Sequence, residues 1–203
     1  MSTSREGSDA GSAHQPNPQR HVRADAQRNL ETVLRTAKEV FASAGVDVSM
    51  REIASRAGVG VGTLYRHFPR RTDLVAAVFH QEMDACAESA AVLAAKYPPF
   101  EALASWMQQF TALVVTKRGL AAALHSGDPV FDGLPQRRDR VVRPAFLKLF
   151  HAAVLAGEVR ADVDPEEFLD AVSSLCIGAY DARPDFAQRM VALFVDALRC
   201  KAP

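Results

Sequence analysis

Ser49-Met50-Arg51-Glu52-Ile53-Ala54-Ser55-Arg56-Ala57-Gly58-Val59-Gly60-Val61-Gly62-Thr63-Leu64-Tyr65-Arg66-His67-Phe68-Pro69 is the stretch that decides the fold. Ser49 and Glu52 have the spacing of a capping box, in which the hydroxyl accepts from the Glu52 amide while the carboxylate reaches back. A short helix with Ile53 and Ala54 inside follows and ends at Gly58. Val59-Gly60 leaves room only for a tight turn before a second short helix, Val61 to Phe68, which Pro69 closes. Leu64 and Phe68 are four apart and face inward. Two short helices joined by a Gly-containing turn, after an amphipathic helix, make a helix-turn-helix.

In that arrangement the turn holds the second helix at a steep angle, so that its N-terminal end can enter a major groove. Groove entry needs small or polar residues at the leading edge, and Val61-Gly62-Thr63 meets that need. Gly62 lets the backbone come close and Thr63 offers a hydroxyl. Tyr65 and His67 sit two apart on the outer side, placed to donate to phosphate oxygens. Val61 can touch a thymine methyl, whereas Gly62 has no side chain to read a base. Arg51, or Arg20 and Arg23 reaching into a minor groove, could supply further specificity.

Outward from this stretch the chain reads as helix throughout. Leu30, Val33, Leu34, Ala37, Val40, Phe41 and Ala44 recur at three- and four-residue steps before Gly45. Residues 1–22 hold only Met1, Ala10, Ala13 and Val22 as apolar side chains and are expected to form a flexible arm. A long helix starts at Arg71 to Asp73, with Thr72 as an alternative cap, and runs to Lys96. Leu103, Trp106, Phe110 and Leu113 mark the next helix, which Gly119 breaks. Leu120 to His125 forms a short piece, Ser126 to Leu134 reads as a loop, and Arg143 to Ala156 is helical again. Asp164-Pro165 and Arg183-Pro184 open the last two helices, the first with Glu166 and Glu167 in its first turn. The expectation is an all-α chain of about nine helices. Its parts are an arm (1–22), a three-helix helix-turn-helix unit (23–70) and a larger helical unit (71–203).

Composition narrows the function classes. Among 203 residues, 48% are apolar and 24% charged, which excludes a wholly disordered chain. No apolar run reaches the ~18 residues that a membrane span needs, and the first thirty residues lack the apolar core of a secretory signal. A cytoplasmic protein with reduced Cys86, Cys176 and Cys200 is expected. The formal net charge is zero, which argues against general coating of nucleic acid. The charge is divided, however. Residues 1–71 carry 11 Lys and Arg against 7 Asp and Glu, and the remainder carries 13 against 17. A basic front and an acidic back suggest two jobs in one chain.

The run Gly62-Thr63-Leu64-Tyr65-Arg66-His67-Phe68-Pro69, at its distance from Ile53-Ala54 and Ala57-Gly58-Val59, resembles the signature of the TetR (tetracycline-repressor) family. The resemblance spans about Asn29 to Phe79. The segment Trp106 to Ala123, with Thr116-Lys117-Arg118-Gly119-Leu120, resembles a subgroup of that family. The resemblance implies that Arg51 and Arg71 contact phosphate and that Val61, Gly62 and Thr63 lie nearest base edges. It places Tyr65 and His67 on the DNA backbone. Many relatives carry Ser where this chain has Gly60, and a small capping residue where it has Arg70. Arg70 and Arg71 together could instead add phosphate contact.

The same resemblance makes the C-terminal part a ligand-binding and dimerisation domain. Trp106, Met107, Phe110, Phe131, Phe146, Phe150 and Tyr180 would wall an apolar cavity, with Gln109, His125 and His151 as polar contacts; plain core is the alternative for such a stripe. The last two helices would form an isologous four-helix dimer surface through Phe168, Val172, Phe186, Met190 and Phe194. The alternative is that both of their faces are buried within one subunit.

Three functions follow for comparison. The first is a ligand-responsive transcriptional regulator, a repressor released from double-stranded operator DNA by a small-molecule effector. The second is an enzyme on a helical bundle. The chain has no Glu-x-x-His pair, no His-Glu-x-x-His and no Gly-x-Ser-x-Gly. No catalysis, cofactor or metal is expected. The third is a helical small-molecule-binding or scaffold protein without DNA function.

Overall fold

The computed structural model describes residues 18–115, 127–178 and 185–200. Among the described residues, nine α-helices are numbered in chain order: α1 (Pro18–Ala44), α2 (Met50–Ala57), α3 (Val61–His67), α4 (Arg71–Lys96), α5 (Pro99–Val115), α6 (Gly133–Arg137), α7 (Arg143–Leu155), α8 (Pro165–Gly178) and α9 (Phe186–Asp196). Among the described residues the only β pairing is an isolated bridge between Val159 and Arg199. The chain is therefore all-α, as its periodicity implies.

Two groups of helices share α4. In the first, Val33, Ala37, Val40 and Phe41 of α1 are buried, as are Met50, Ile53 and Ala54 of α2 and Leu64 of α3. Leu74, Val75 and Val78 of α4 belong to the same continuous core. Such a small unit is marginal by itself, and α4 continues beyond it to pack on α5 and α7.

In the second group α5 lies at the centre, in contact with α4, α7, α8 and α9. A helix surrounded by others buries more than one face. This explains the charge-free run after Glu101: Ala102, Leu103, Trp106, Met107, Phe110, Thr111 and Val114 are all buried. Trp106 stacks on Phe110 with ring centroids 5.5 Å apart, and Phe146 lies 5.9 Å away. Its Nε1–H donates to the Cys86 carbonyl at 2.8 Å, which satisfies the one polar atom of the indole.

Three local readings change. α1 takes in residues 18–22, expected as arm, because Pro18 suits a first helical position and propagation costs little once a helix exists. The backbone of Arg20 and Arg23 is accordingly helical. Residues 127–134 are more than a loop. Asp128 accepts from the Val130 amide at 3.0 Å and caps a 3₁₀ turn, Pro129–Phe131, and α6 follows. Pro129 and Gly133 occupy first-turn positions, where Pro sacrifices no hydrogen bond, and Gly127 precedes the Asp128 cap at φ 72°. A π turn, Arg138–Val142, leads into α7. The expected break at Gly119, the piece Leu120 to His125, and residues 179–184 lie outside the described residues.

The C-terminal end is fastened to the turn after α7. The Arg160 amide donates to the Leu198 carbonyl at 2.9 Å and the Cys200 amide to the Glu158 carbonyl at 3.1 Å. The Glu158 carboxylate accepts from the Phe100 amide at 2.6 Å, at the start of α5. Cys86 and Cys176 are buried and Cys200 is exposed.

Candidate nucleic-acid interface and junction cleft

Local chemistry fixes the direction of α3. Ser49 Oγ accepts from the Glu52 amide at 3.2 Å and starts α2. The Glu52 carboxylate does not reach back as a full capping box would; it pairs with Arg56 one turn on, at 2.7 Å. Gly58 ends α2 at φ 68°, a left-handed conformation that costs other residues 1–2 kcal/mol or so. The Val59 amide then closes onto the Ala54 carbonyl at 3.0 Å. Gly60 is the N-cap of α3 without a side-chain acceptor. The turn is thereby fixed at both ends by backbone bonds.

Leu64 and Phe68 anchor α3 in the core at 1% and 8% exposure. The opposite side carries Val61, Gly62, Tyr65 and His67, all exposed, with Thr63 half-buried. No atom lies within 4 Å of where a Gly62 Cβ would stand, so this glycine is not forced by the protein's own packing. Arg51 on α2 is exposed. Arg71 is half-buried, with Nη1 3.5 Å from Asp47 Oδ1. Arg51 thus stands on α2, Val61 to His67 on α3, which packs on α2, and Arg71 at the start of α4.

Arg70 is engaged elsewhere. Its Nη2 meets Asp73 Oδ1 at 2.8 Å, and its Nη1 meets both Asp128 oxygens at 3.2 Å. The Asp73 carboxylate also accepts the Arg70 backbone N–H at 2.8 Å, which caps α4 from within and leaves no capping role to Thr72. The bond to Arg70 holds Asp73 below the usual carboxylate range. Asp128 is lowered first by the Val130 amide, with Thr72 and Arg70 adding to the effect.

The residues expected to wall a cavity are placed differently from one another. Trp106, Met107, Phe110, Phe146 and Phe150 pack together in the core at 0–2% exposure. Phe131 is also buried. His151 is exposed, its ring edge-on to Phe150 at 6.4 Å. Tyr180 and His125 lie outside the described residues. Gln109 is on a cleft of ≈ 390 Å³ between α1, α4 and α5. Phe41, Val46, Val78, Phe79, Ala112 and Leu113 form its apolar walls. Lys38 and Glu82 also line it and meet at 2.7 Å. Burial, with Glu82 adding to it, pushes the nearby Cys86 thiol up to about 12. Sequence spacing did not single out Lys38, Phe41 or Glu82 for a site, because they come together only through the crossing of α1 and α4.

Of the expected dimer residues, Phe168 and Val172 are buried within the chain, and Phe186 and Met190 are half-buried. Phe194 is 49% exposed, and its neighbour Leu193 is 60% exposed. No helix among the described residues is long and apolar enough to cross a membrane.

The sequence model for bacterial regulatory proteins of the tetR family matches residues 33–78. The model for the SbtR-like transcriptional regulator C-terminal domain matches residues 98–200. A TetR transcriptional regulator from Streptomyces coelicolor superposes with a TM-score of 0.71 at 32% identity, over 85% of this chain and 99% of that one. A TetR regulatory protein from Mycobacterium vanbaalenii gives 0.69 at 36% identity, over 88% and 99%. A helix-turn-helix-type transcriptional regulator from Staphylococcus aureus (strain USA300) is 39% identical over 64 residues, which is 31% of this chain. The chain spans 35% of the length of that curated relative. With both parts of the sequence matched and near-complete coverage of two solved relatives, the chain belongs to the TetR family of bacterial transcriptional regulators.

Proposed function

We propose that this chain is a homodimeric, ligand-responsive repressor that holds operator DNA with α3 and releases it when a small-molecule effector binds its C-terminal unit. The observation that carries this reading is the two-sided build of α3. Leu64 and the adjoining Phe68 are buried, while Val61, Gly62, Tyr65 and His67 face outward, with Arg51 exposed on α2. Val61, Gly62 and Thr63 then approach base edges, and Tyr65, His67, Arg51 and Arg71 take phosphates. A phosphate competes readily for Arg71, whose Asp47 partner is fully solvated. The chromosome as partner implies a cytoplasmic protein. Residues 23–70 act as the DNA-binding unit and 71–203 as the effector and dimer unit.

Leu193 and Phe194 give a second copy an apolar surface on α9. A dimer sets two recognition helices ~34–36 Å apart, one turn of DNA. An effector needs to favour the wrong spacing by only ~1–3 kcal/mol to weaken binding roughly 5–150-fold.

The test is binding of the purified protein to DNA from its own upstream region at two salt concentrations, with a Tyr65→Ala/His67→Ala control. The expected result is site-specific binding that falls steeply with salt and is lost in the control. Binding unchanged in the control, or insensitive to salt, would count against the reading and favour the scaffold alternative.

A further inference from the structure

The cleft between α1, α4 and α5 has a chemical bias. Its walls are apolar, and two of them, Phe41 and Phe79, are aromatic. Among the described residues its charge is a single ion pair of unequal partners. The Lys38 side chain is 51% exposed and the Glu82 side chain 24% exposed. Lys38 sits on a long flexible stem and can swing into water with little loss, whereas Glu82 is shorter and more covered. A ligand in the cleft therefore meets the Glu82 carboxylate. An anionic ligand would lie against that carboxylate. A cation would replace the Lys38 ammonium and would be further favoured by the aromatic walls. Cys86, held un-ionised by burial, adds no charge.

We propose that this cleft is a binding site for lipophilic cations, amines with an apolar body, which displace Lys38 from Glu82 and so break an ion pair between α1 and α4. The cation takes the Glu82 carboxylate while the body occupies the space between Phe41 on α1 and Phe79 and Leu113 on α4 and α5. Lys38–Glu82 links α1, which packs on α2, to α4, which continues from the first helix group into the second. Occupation thus acts at the junction of the two units and not inside the aromatic core around Trp106. The consequence for DNA rests on the repressor reading; binding in the cleft does not.

The experiment is calorimetric titration of the whole chain, without DNA, with 4-phenylbutylamine, 4-phenylbutanol and 4-phenylbutyrate at neutral pH. The amine is expected to bind at least ~10-fold more tightly than the other two, the scale of one well-placed charge contact. Glu82→Gln should remove that preference, and Lys38→Met should strengthen amine binding by freeing Glu82. Ala112→Trp, which fills the cleft, should weaken all three. Circular dichroism and melting establish that each variant is folded; Lys38 is exposed, so Lys38→Met keeps the test alive if Glu82→Gln does not fold. Equal binding of amine, alcohol and acid, an amine preference that survives Glu82→Gln, or no binding by any probe overturns the site. A parallel DNA-binding assay separates the readings. No amine binding in a protein that binds DNA removes the cleft site alone, and Glu82-dependent amine binding in a protein that binds no DNA removes the repressor reading alone.

Discussion

Arg70 holds Asp128 by both carboxylate oxygens, each 3.2 Å from the same guanidinium nitrogen, across 58 positions of sequence. Arg70 is the N-cap of α4, three residues after α3 ends; Asp128 is the cap of the 3₁₀ turn that follows residues 116–126. The pair ties the residue that caps α4 to the 3₁₀ turn Pro129–Phe131. Arg70 also meets Asp73, so one side chain touches both the first turn of α4 and the 3₁₀ turn.

Arg70→Ala and Asp128→Ala should each change operator affinity, and the double variant should show less than the sum of the two effects. Because the Arg70 guanidinium is open to solvent, Arg70→Ala should barely move the melting temperature. Strict additivity in operator affinity would show that the link carries no coupling.

Arg51 is exposed, so its role is measurable through salt. Arg51→Ala should lower operator affinity and reduce the slope of log affinity against log salt by ~0.9, the value of one phosphate contact on duplex DNA. An unchanged slope removes Arg51 from the phosphate set.

The two glycines of the turn should respond in opposite directions. Gly58→Ala places a side chain at φ 68° and should destabilise the chain by ~1–2 kcal/mol in denaturant melts. Gly60→Ser supplies the acceptor missing at the N-cap of α3. A Cβ there meets only Thr63 Oγ1 at 3.6 Å, an ordinary contact. A gain of a few tenths of a kcal/mol is expected. A loss at position 60 would mean that the turn needs more than a cap.

His80 supplies a pH dependence. Its Nδ1 is buried with no hydrogen-bond partner among the described residues. Burial, with Arg137 adding to it, lowers its affinity for a proton, while Asp84 acts in the other direction. The unfolded chain therefore takes up that proton more readily than the folded one. Stability should fall as pH drops below the ordinary histidine value of ~6.5, and this contribution should be flat above it. Urea midpoints for the parent and His80→Gln should diverge in that window; parallel profiles would show that His80 does not titrate on unfolding.

Leu193→Glu with Phe194→Glu should shift the chain toward monomer in sedimentation equilibrium without unfolding it, because both side chains are exposed within the subunit. A dimer that survives the pair of charges would have its interface on another face.

How much of this was legible depends on distance along the chain. The helix-turn-helix was readable because each of its signals is local: Ser49 starts a helix, Gly58 stops it, and Leu64 and Phe68 mark an inner face. The 3₁₀ turn and α6 were not, because Gly127, Pro129, Gly133 and Pro135 carry the same residue types as a loop and differ only in where they fall within a turn. Trp106, Phe110, Phe146 and Phe150 were legible as apolar and helical. Periodicity has no term for how closely such rings approach one another; Trp106 and Phe110 stack with centroids 5.5 Å apart. Lys38 and Glu82 lie on separate helices, and only the crossing of α1 and α4 makes them partners. Arg70 read as a charge available to DNA until Asp73 and Asp128 were seen to hold it.

The burial of two thiols beside one exposed thiol has a practical outcome. Cys86 and Cys176 are shielded, and Cys86 in addition resists ionisation, whereas Cys200 is open and its backbone is pinned to Glu158. A maleimide reagent at neutral pH attacks the accessible thiolate first, so the unaltered sequence carries one address for a dye or spin label on a firmly held segment. Two copies in a dimer would bring two such reporters. The distance between them, followed by energy transfer or paired electron spins as operator and then amine are added, would turn the chain into its own ruler for subunit movement.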